Sequence, residues 1–245
     1  MAGMAAAAYN KMGVPMVGVD YRGFGASNNT PPLPPLIGST ITEASLYQDG
    51  RRIYRHVREE MGIPAAGIIL NGFSLGGAVA ARIAADIAKE TARRKSAGKA
   101  SGGTGTGPCD RGERPGGLVL HSSIRTMTEA AAGTLPLPKP LARIFGELGG
   151  RLTGGAYNTA LYLRELARYA LEIPIHFRGG AGDDELSLEI TRLDRIGGFK
   201  NAAIYNGTEG HQSTEPGSRQ GANMTEGLEE LQRMVFELSK RLFQN

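Results

Sequence analysis

The chain has one cysteine, no tryptophan and four histidines among its 245 residues. The single cysteine, Cys109, can form neither a disulfide within the chain nor a cysteine-based metal site, as is typical of a reducing compartment. No apolar run reaches the roughly 18 residues of a transmembrane helix, so none is predicted. Residues 1–9 lack a basic segment followed by a long apolar stretch, so we expect no signal peptide. We therefore expect a cytoplasmic protein that could also contact a membrane peripherally.

Composition and charge narrow the class of protein. Hydrophobic residues make up 40% and charged residues 21% of the chain. This composition predicts one α/β domain over residues 1–245. The net charge of +4 and the arginines at 51, 52, 55 and 58 suggest a basic patch that could attract anionic lipid or nucleic acid. Zinc-finger spacing and an aromatic-rich basic strand are both missing, so we expect a solvated helix face and no nucleic-acid partner.

Apolar runs and helical patterns alternate along the sequence. Buried strands are predicted at 14–20, 66–70, 118–121, 173–177 and 202–205. Helical spacing begins at Thr42, a good N-cap, recurs after Ser74, and recurs again over 228–242. This alternation predicts a mostly parallel sheet with helices on both faces. Segment 92–117 is interpreted as a flexible insertion, and 126–170 as a small lid, with an ordinary long crossover as the alternative.

The pattern Gly-x-Ser-x-Gly occurs at residues 72–76, between a predicted strand and a predicted helix. An apolar strand precedes it and an alanine-rich helix follows. A serine on such a sharp turn presents its hydroxyl above the sheet, so Ser74 is the candidate nucleophile. We expect glycine at 72 and 76 because a side chain at either position would collide across the turn. The alternative is a glycine-rich turn that only packs a helix on a sheet.

A serine nucleophile needs a base, an acid that orients the base, and donors for the oxyanion. His211 is the candidate base because it follows the last predicted strand, at the sheet edge where catalytic groups collect. Asp183 and Asp184 follow the preceding strand, and either could be the acid. The backbone N–H of Leu75, at the start of the helix, is one candidate oxyanion donor. This chemistry requires no metal or other cofactor.

The sequence resembles α/β-hydrolase-fold serine hydrolases, nearest the depalmitoylase and lysophospholipase branch. The resemblance is carried by 20–27 (DYRGFGAS), 46–49 (LYQD), 68–77 (IILNGFSLGG), 118–123 (LVLHSS) and 180–183 (GAGD). It implies the chain order Ser74, Asp183, His211 for the triad. It also implies three further strands and an oxyanion loop before residue 1. Without one of those strands, the sheet would have a gap between residue 20 and the strand before Ser74.

The expected function is therefore that of a serine esterase, thioesterase or lipase-like enzyme. Its substrate would be a lipid ester, an acylated protein or a small ester. Two alternatives remain open: a catalytically inactive hydrolase-like binding domain, or a fragment of a larger hydrolase. The absent oxyanion loop motivates both of them.

Overall fold

The structure, a computed structural model, contains a parallel sheet. It describes residues 13, 15–27, 42–100, 114–134, 138–152, 156–170, 172–180, 196 and 198–207. The strands are Ile69–Phe73 (β1), Gly117–His121 (β2), Ile175–Gly180 (β3) and Ala202–Gly207 (β4). They pair in the order β1-β2-β3-β4, all parallel, with Phe73 opposite His121. The predicted fold class is confirmed, and the carboxyl ends of the strands share one edge.

Five α-helices accompany the sheet within the described residues. They are Glu43–Arg55 (α1), Leu75–Ala100 (α2), Met127–Thr134 (α3), Lys139–Leu152 (α4) and Thr159–Tyr169 (α5). The predicted start of α1 is confirmed, because the Thr42 hydroxyl accepts the Ser45 N–H at 3.1 Å and the Ser45 hydroxyl accepts the Thr42 N–H at 2.8 Å. This reciprocal capping satisfies N–H groups that a helix start leaves free. A π-helical turn, His56–Glu60, extends α1.

Helix α2 lies at the centre of the core. Its alanines, including the fully buried Ala81 and Ala84, face a cluster that contains Leu118 of β2 and Leu163 of α5. Small side chains let the helix approach its neighbours closely, which is why an alanine-rich helix is found here. No helix among the described residues has the length and apolar character needed to cross a membrane.

The predicted first strand, 14–20, is wrong. Residues 15–21 adopt no strand structure, and Val17 is 44% exposed. A strand requires backbone partners on a neighbouring strand. In the part of the chain that the structure describes, β1 pairs with β2 alone, so no ladder incorporates 15–21. The segment has the apolar pattern of a strand, but no strand among the described residues pairs with it.

The predicted insertion begins too early. Helix α2 continues to Ala100, so residues 92–100 are helical, and β2 already begins at Gly117. Residues 101–113 lie outside the described part of the chain, as does the predicted helix at 228–242. The predicted lid, 126–170, contains α3, α4 and α5.

Candidate active site

Ser74 lies at the turn between β1 and α2, as the motif predicted. Its φ is +51°, in the left-handed region that non-glycine residues rarely adopt. The Ser74 N–H donates to the His121 carbonyl at 2.9 Å, and the Ser74 carbonyl accepts the Gly77 N–H at 3.1 Å. These two bonds hold the strained residue on both sides of its Cα. The residue is partly exposed.

The glycines around Ser74 have different roles from those predicted. A Cβ on Gly72 would lie 2.5 Å from Gly77 Cα and 2.6 Å from the Gly76 carbonyl carbon, so the requirement for glycine at 72 is supported. The expectation for Gly76 is wrong, because a Cβ there would meet nothing within 4 Å. Gly77 is the second constrained position, since a Cβ there would overlap the Ser123 hydroxyl. Helix geometry turns position 76 outward and position 77 toward the sheet.

Leu75 begins α2 directly after Ser74. The N–H groups of a first helical turn have no acceptor within the helix and carry the positive end of its dipole. An oxygen that develops negative charge beside Ser74 is therefore stabilised there. Leu75 occupies the position predicted for it, and the oxyanion role itself remains a proposal.

The last residue of β2 and the two residues after it lie against the Ser74 turn. His121 stacks edge-to-face on Phe73, with ring centroids 5.1 Å apart. Ser122 has a φ of +42° and is 1% exposed, and Ser123 is 2% exposed. The apolar run 118–121 predicts that His121 ends this strand, but no sequence pattern assigns a role to Ser122 or Ser123.

Asp183, Asp184 and His211 lie outside the described residues. The strands that precede them are described. β3 ends at Gly180 and β4 at Gly207, two residues paired in register. Because the sheet is parallel, the chain leaves both strands at the same edge as Ser74. The predicted acid and base therefore follow strands that end at the same sheet edge as Ser74.

The stretch 20–27 has a structural role here. The Arg22 guanidinium Nε donates to both carboxylate oxygens of Asp49, at 3.1 and 2.9 Å, and the Arg22 backbone N–H donates to the same carboxylate at 3.1 Å. The hydrogen bond from Arg22 is the main reason that the pKa of Asp49 is lowered. Burial, followed by the charge of Asp49, raises the pKa of Tyr21. Together these contacts tie the loop to α1.

The basic patch on α1 is partly neutralised. Arg51 pairs with Glu90 at 3.1 Å and with Asp86 at 3.7 Å, both on α2, and Arg55 lies 4.0 Å from Glu59. Arg51, Arg55 and Arg58 line a groove of about 330 Å³ between the two helices. The contacts with Asp86 and Glu90 join α1 to α2.

Helix α4 presents an exposed apolar stripe. Leu141, Ile144, Phe145 and Leu148 are between 47% and 60% exposed, whereas Ala142 is fully buried. Spacing of three, four and seven residues places the four large side chains on one face. A contiguous apolar surface of this kind is unusual unless it meets another apolar group.

No family model matches the chain. Two curated relatives, each a multifunctional-autoprocessing repeats-in-toxin protein, come from Vibrio cholerae serotype O1 (strain ATCC 39315 / El Tor Inaba N16961) and Vibrio vulnificus. Each is 36% identical to this chain over 73 residues, which are 30% of this chain and 1% of the relative. The chain therefore matches a very small part of either toxin.

Solved structures show the fold. An alpha-beta hydrolase from Vibrio vulnificus has a TM-score of 0.63 and 22% identity, covering 95% of this chain and 68% of that one. A sugar hydrolase from Lactococcus lactis has a TM-score of 0.54 and 14% identity, covering 96% of this chain and 82% of that one. At such identities the likeness establishes architecture alone. The chain has an α/β-hydrolase fold, with Ser74 at the turn after β1.

Proposed function

We propose that the chain is a serine hydrolase that cleaves a carboxylic ester or thioester through an acyl-enzyme on Ser74. The observation that carries this proposal is the left-handed Ser74, with φ of +51°, directly before the long helix α2. Backbone strain of this kind persists only where surrounding contacts maintain it, and it clusters at functional sites. In an α/β-hydrolase fold this turn is where a nucleophilic serine is presented.

The proposed mechanism has two halves. The Ser74 hydroxyl attacks the acyl carbonyl and gives its proton to His211, while Asp183 orients the imidazole. The Leu75 N–H stabilises the tetrahedral oxyanion, which collapses as His211 returns the proton to the departing alcohol or thiol. Water, activated by His211, then attacks the acyl-enzyme and releases the carboxylic acid and free Ser74. Asp184 is the alternative orienting acid.

The apolar stripe of α4 suggests an amphipathic acyl substrate. The apolar stripe of α4 follows β2 in the chain, and β2 ends at the same sheet edge as Ser74. An acyl chain has the apolar surface that such a stripe would cover. We include in the proposal that 126–170 acts as a lid and that the substrate is a lipid ester or acylated protein, as for depalmitoylases and lysophospholipases. A cytoplasmic enzyme with peripheral membrane contact is the expected setting.

The first experiment is labelling with a fluorophosphonate probe, which reacts with activated serines. We expect the wild-type chain to be labelled and Ser74→Ala to be unlabelled. Removal of the nucleophile should lower kcat for a chromogenic ester by roughly 10⁴- to 10⁶-fold, the loss typical of this machinery. The measurement is in-gel fluorescence together with initial rates of ester hydrolysis.

Ser96→Ala is the matched control. Ser96 lies on α2 as well, but it is exposed and its hydroxyl donates to the Ala92 carbonyl at 3.0 Å. That variant should be labelled like the wild type. A folded wild-type protein that takes no label would favour the second candidate, a hydrolase-like binding domain. Full activity in Ser74→Ala or His211→Ala would contradict the mechanism.

A further inference from the structure

Ser123 sits behind the turn that carries Ser74. Its Oγ lies 3.3 Å from the Gly72 carbonyl oxygen and 3.4 Å from the His121 carbonyl oxygen, and the residue is 2% exposed. A serine hydroxyl has one proton and can donate it to either carbonyl. Gly72 is the last residue but one before Ser74, so this hydroxyl reaches the strand side of the turn.

The same hydroxyl also lies close to Gly77, on the helix side of the turn. It occupies the space that a Cβ on Gly77 would require. Gly77 in turn donates its N–H to the Ser74 carbonyl at 3.1 Å. One buried oxygen therefore contacts the residues on both sides of Ser74, and neighbouring His121 accepts the Ser74 N–H.

We propose that Ser123 is a positioning residue that holds Ser74 in its left-handed, attack-ready conformation. The inference rests on the proposed function, since it concerns the reactivity of Ser74. A left-handed serine relaxes to an ordinary conformation unless its surroundings fix it. Loss of the Ser123 hydroxyl removes a hydrogen-bond donor from beside the Gly72 and His121 carbonyls and leaves a void beside Gly77. The nucleophile then spends less time aligned with the acyl carbonyl, although substrate still binds.

Ser123→Ala is the first test. We expect kcat to fall roughly 10- to 100-fold with KM unchanged, because small misplacement of a reacting group has effects of this size. The rate of fluorophosphonate labelling should fall by a similar factor. Thr159→Val is the control: Thr159 is also fully buried, its hydroxyl has no hydrogen-bond partner among the described residues, and it lies on α5. That variant should retain wild-type kcat.

A double variant separates packing from hydrogen bonding. Gly77→Ala alone overlaps Ser123 and should lower the melting temperature. Combined with Ser123→Gly, the new methyl fills the vacated space, and its next neighbour is Leu120 Cδ2 at 3.5 Å, an ordinary contact. We expect the melting temperature to recover relative to Gly77→Ala while kcat stays as low as in Ser123→Ala.

The possible outcomes distinguish failure of the positioning role from failure of the proposed function. Wild-type kcat in Ser123→Ala, or full recovery of kcat in the double variant, overturns the positioning role while the labelling of Ser74 stands. A rise in KM that accounts for the whole loss of kcat/KM also overturns it, since this would indicate a substrate-binding defect. If the wild-type chain shows no Ser74-dependent labelling, the proposed function fails and this role fails with it.

Discussion

Three glycines within six residues carry different constraints at the Ser74 turn. Gly72 faces the first turn of α2, Gly76 faces open space, and Gly77 faces Ser123. A motif read from sequence treats its two glycines as equivalent, because spacing alone says nothing about which way each Cα faces. The folded turn makes them unequal, and a pair of substitutions can measure the difference.

Alanine at position 72 should be much worse than alanine at position 76. Overpacking a buried site costs about 1–3 kcal/mol and sometimes more, and here the new methyl would meet backbone that cannot rotate away. Gly76→Ala should instead stabilise the chain by about 0.5–1 kcal/mol, because alanine has less unfolded-state freedom and sits in a helix. Urea unfolding measures both. Equal effects of the two changes would show that the turn is not packed as described.

Residue-scale prediction from sequence succeeded where the determinants are contiguous. Ser74 and Leu75 belong to one strand-turn-helix motif, so local pattern was enough to place both. Ser123 and His121 reach the same turn from about fifty positions away, through the pairing of β1 with β2. Since register depends on the whole sheet, no local pattern assigned a role to Ser123.

At the scale of elements, Glu43 joins three parts of the chain. This buried residue opens α1, and its carboxylate accepts hydrogen bonds from the Tyr47 hydroxyl, from the Tyr162 hydroxyl at 2.8 Å and from the Ala156 N–H at 2.7 Å. Tyr162 lies on α5, and Ala156 precedes that helix. A carboxylate with only donors around it is fully satisfied. The end of segment 126–170 is thus fixed to α1.

Glu43→Gln tests this junction. The amide keeps the shape but replaces one acceptor with an NH₂ donor, which cannot satisfy the surrounding donors. We expect the free energy of unfolding to fall by about 1–3 kcal/mol, the cost of an unsatisfied buried group. Glu59→Gln is the control: its side chain is 69% exposed and its ion pair is long, so the change should stay within about 0.5 kcal/mol. Comparable losses in the two variants would contradict the role of Glu43.

Element boundaries were predictable where a side chain marks them. Thr42 predicted the start of α1, and the apolar runs predicted strands β1 to β4. The prediction failed for 14–20 because strand formation depends on a neighbour that the segment's own residues do not specify. It failed for 92–100 because polar residues on an exposed helix end resemble those of a loop. The predicted acid and base, Asp183 and His211, follow correctly predicted strands, but their distance from Ser74 depends on loop geometry that no pattern encodes.

At the scale of the whole molecule, buried and partly buried tyrosines make the free energy of unfolding depend on pH in the alkaline range. The pKa values of Tyr21, Tyr47, Tyr157 and Tyr162 are all raised above the ordinary 10.0, with burial the largest cause in each case. Burial disfavours the charged phenolate. The folded chain therefore keeps these protons to higher pH than the unfolded chain does. Their stabilising contribution is complete below pH 10 and is lost as the pH rises above it.

Unfolding measurements on two tyrosine variants can isolate this effect. From about pH 9 to about pH 11.5, the free energy of unfolding should fall by up to about 1.4 kcal/mol per pH unit for each such tyrosine. Tyr162→Phe should make the slope shallower, because it removes one of the linked protons. Tyr157→Phe should make the slope shallower for the same reason, because burial also raises the pKa of Tyr157. Because the chain has no tryptophan, ultraviolet absorbance reports tyrosinate directly. Identical slopes in the wild type and Tyr162→Phe would show that Tyr162 ionises alike in the folded and unfolded chains.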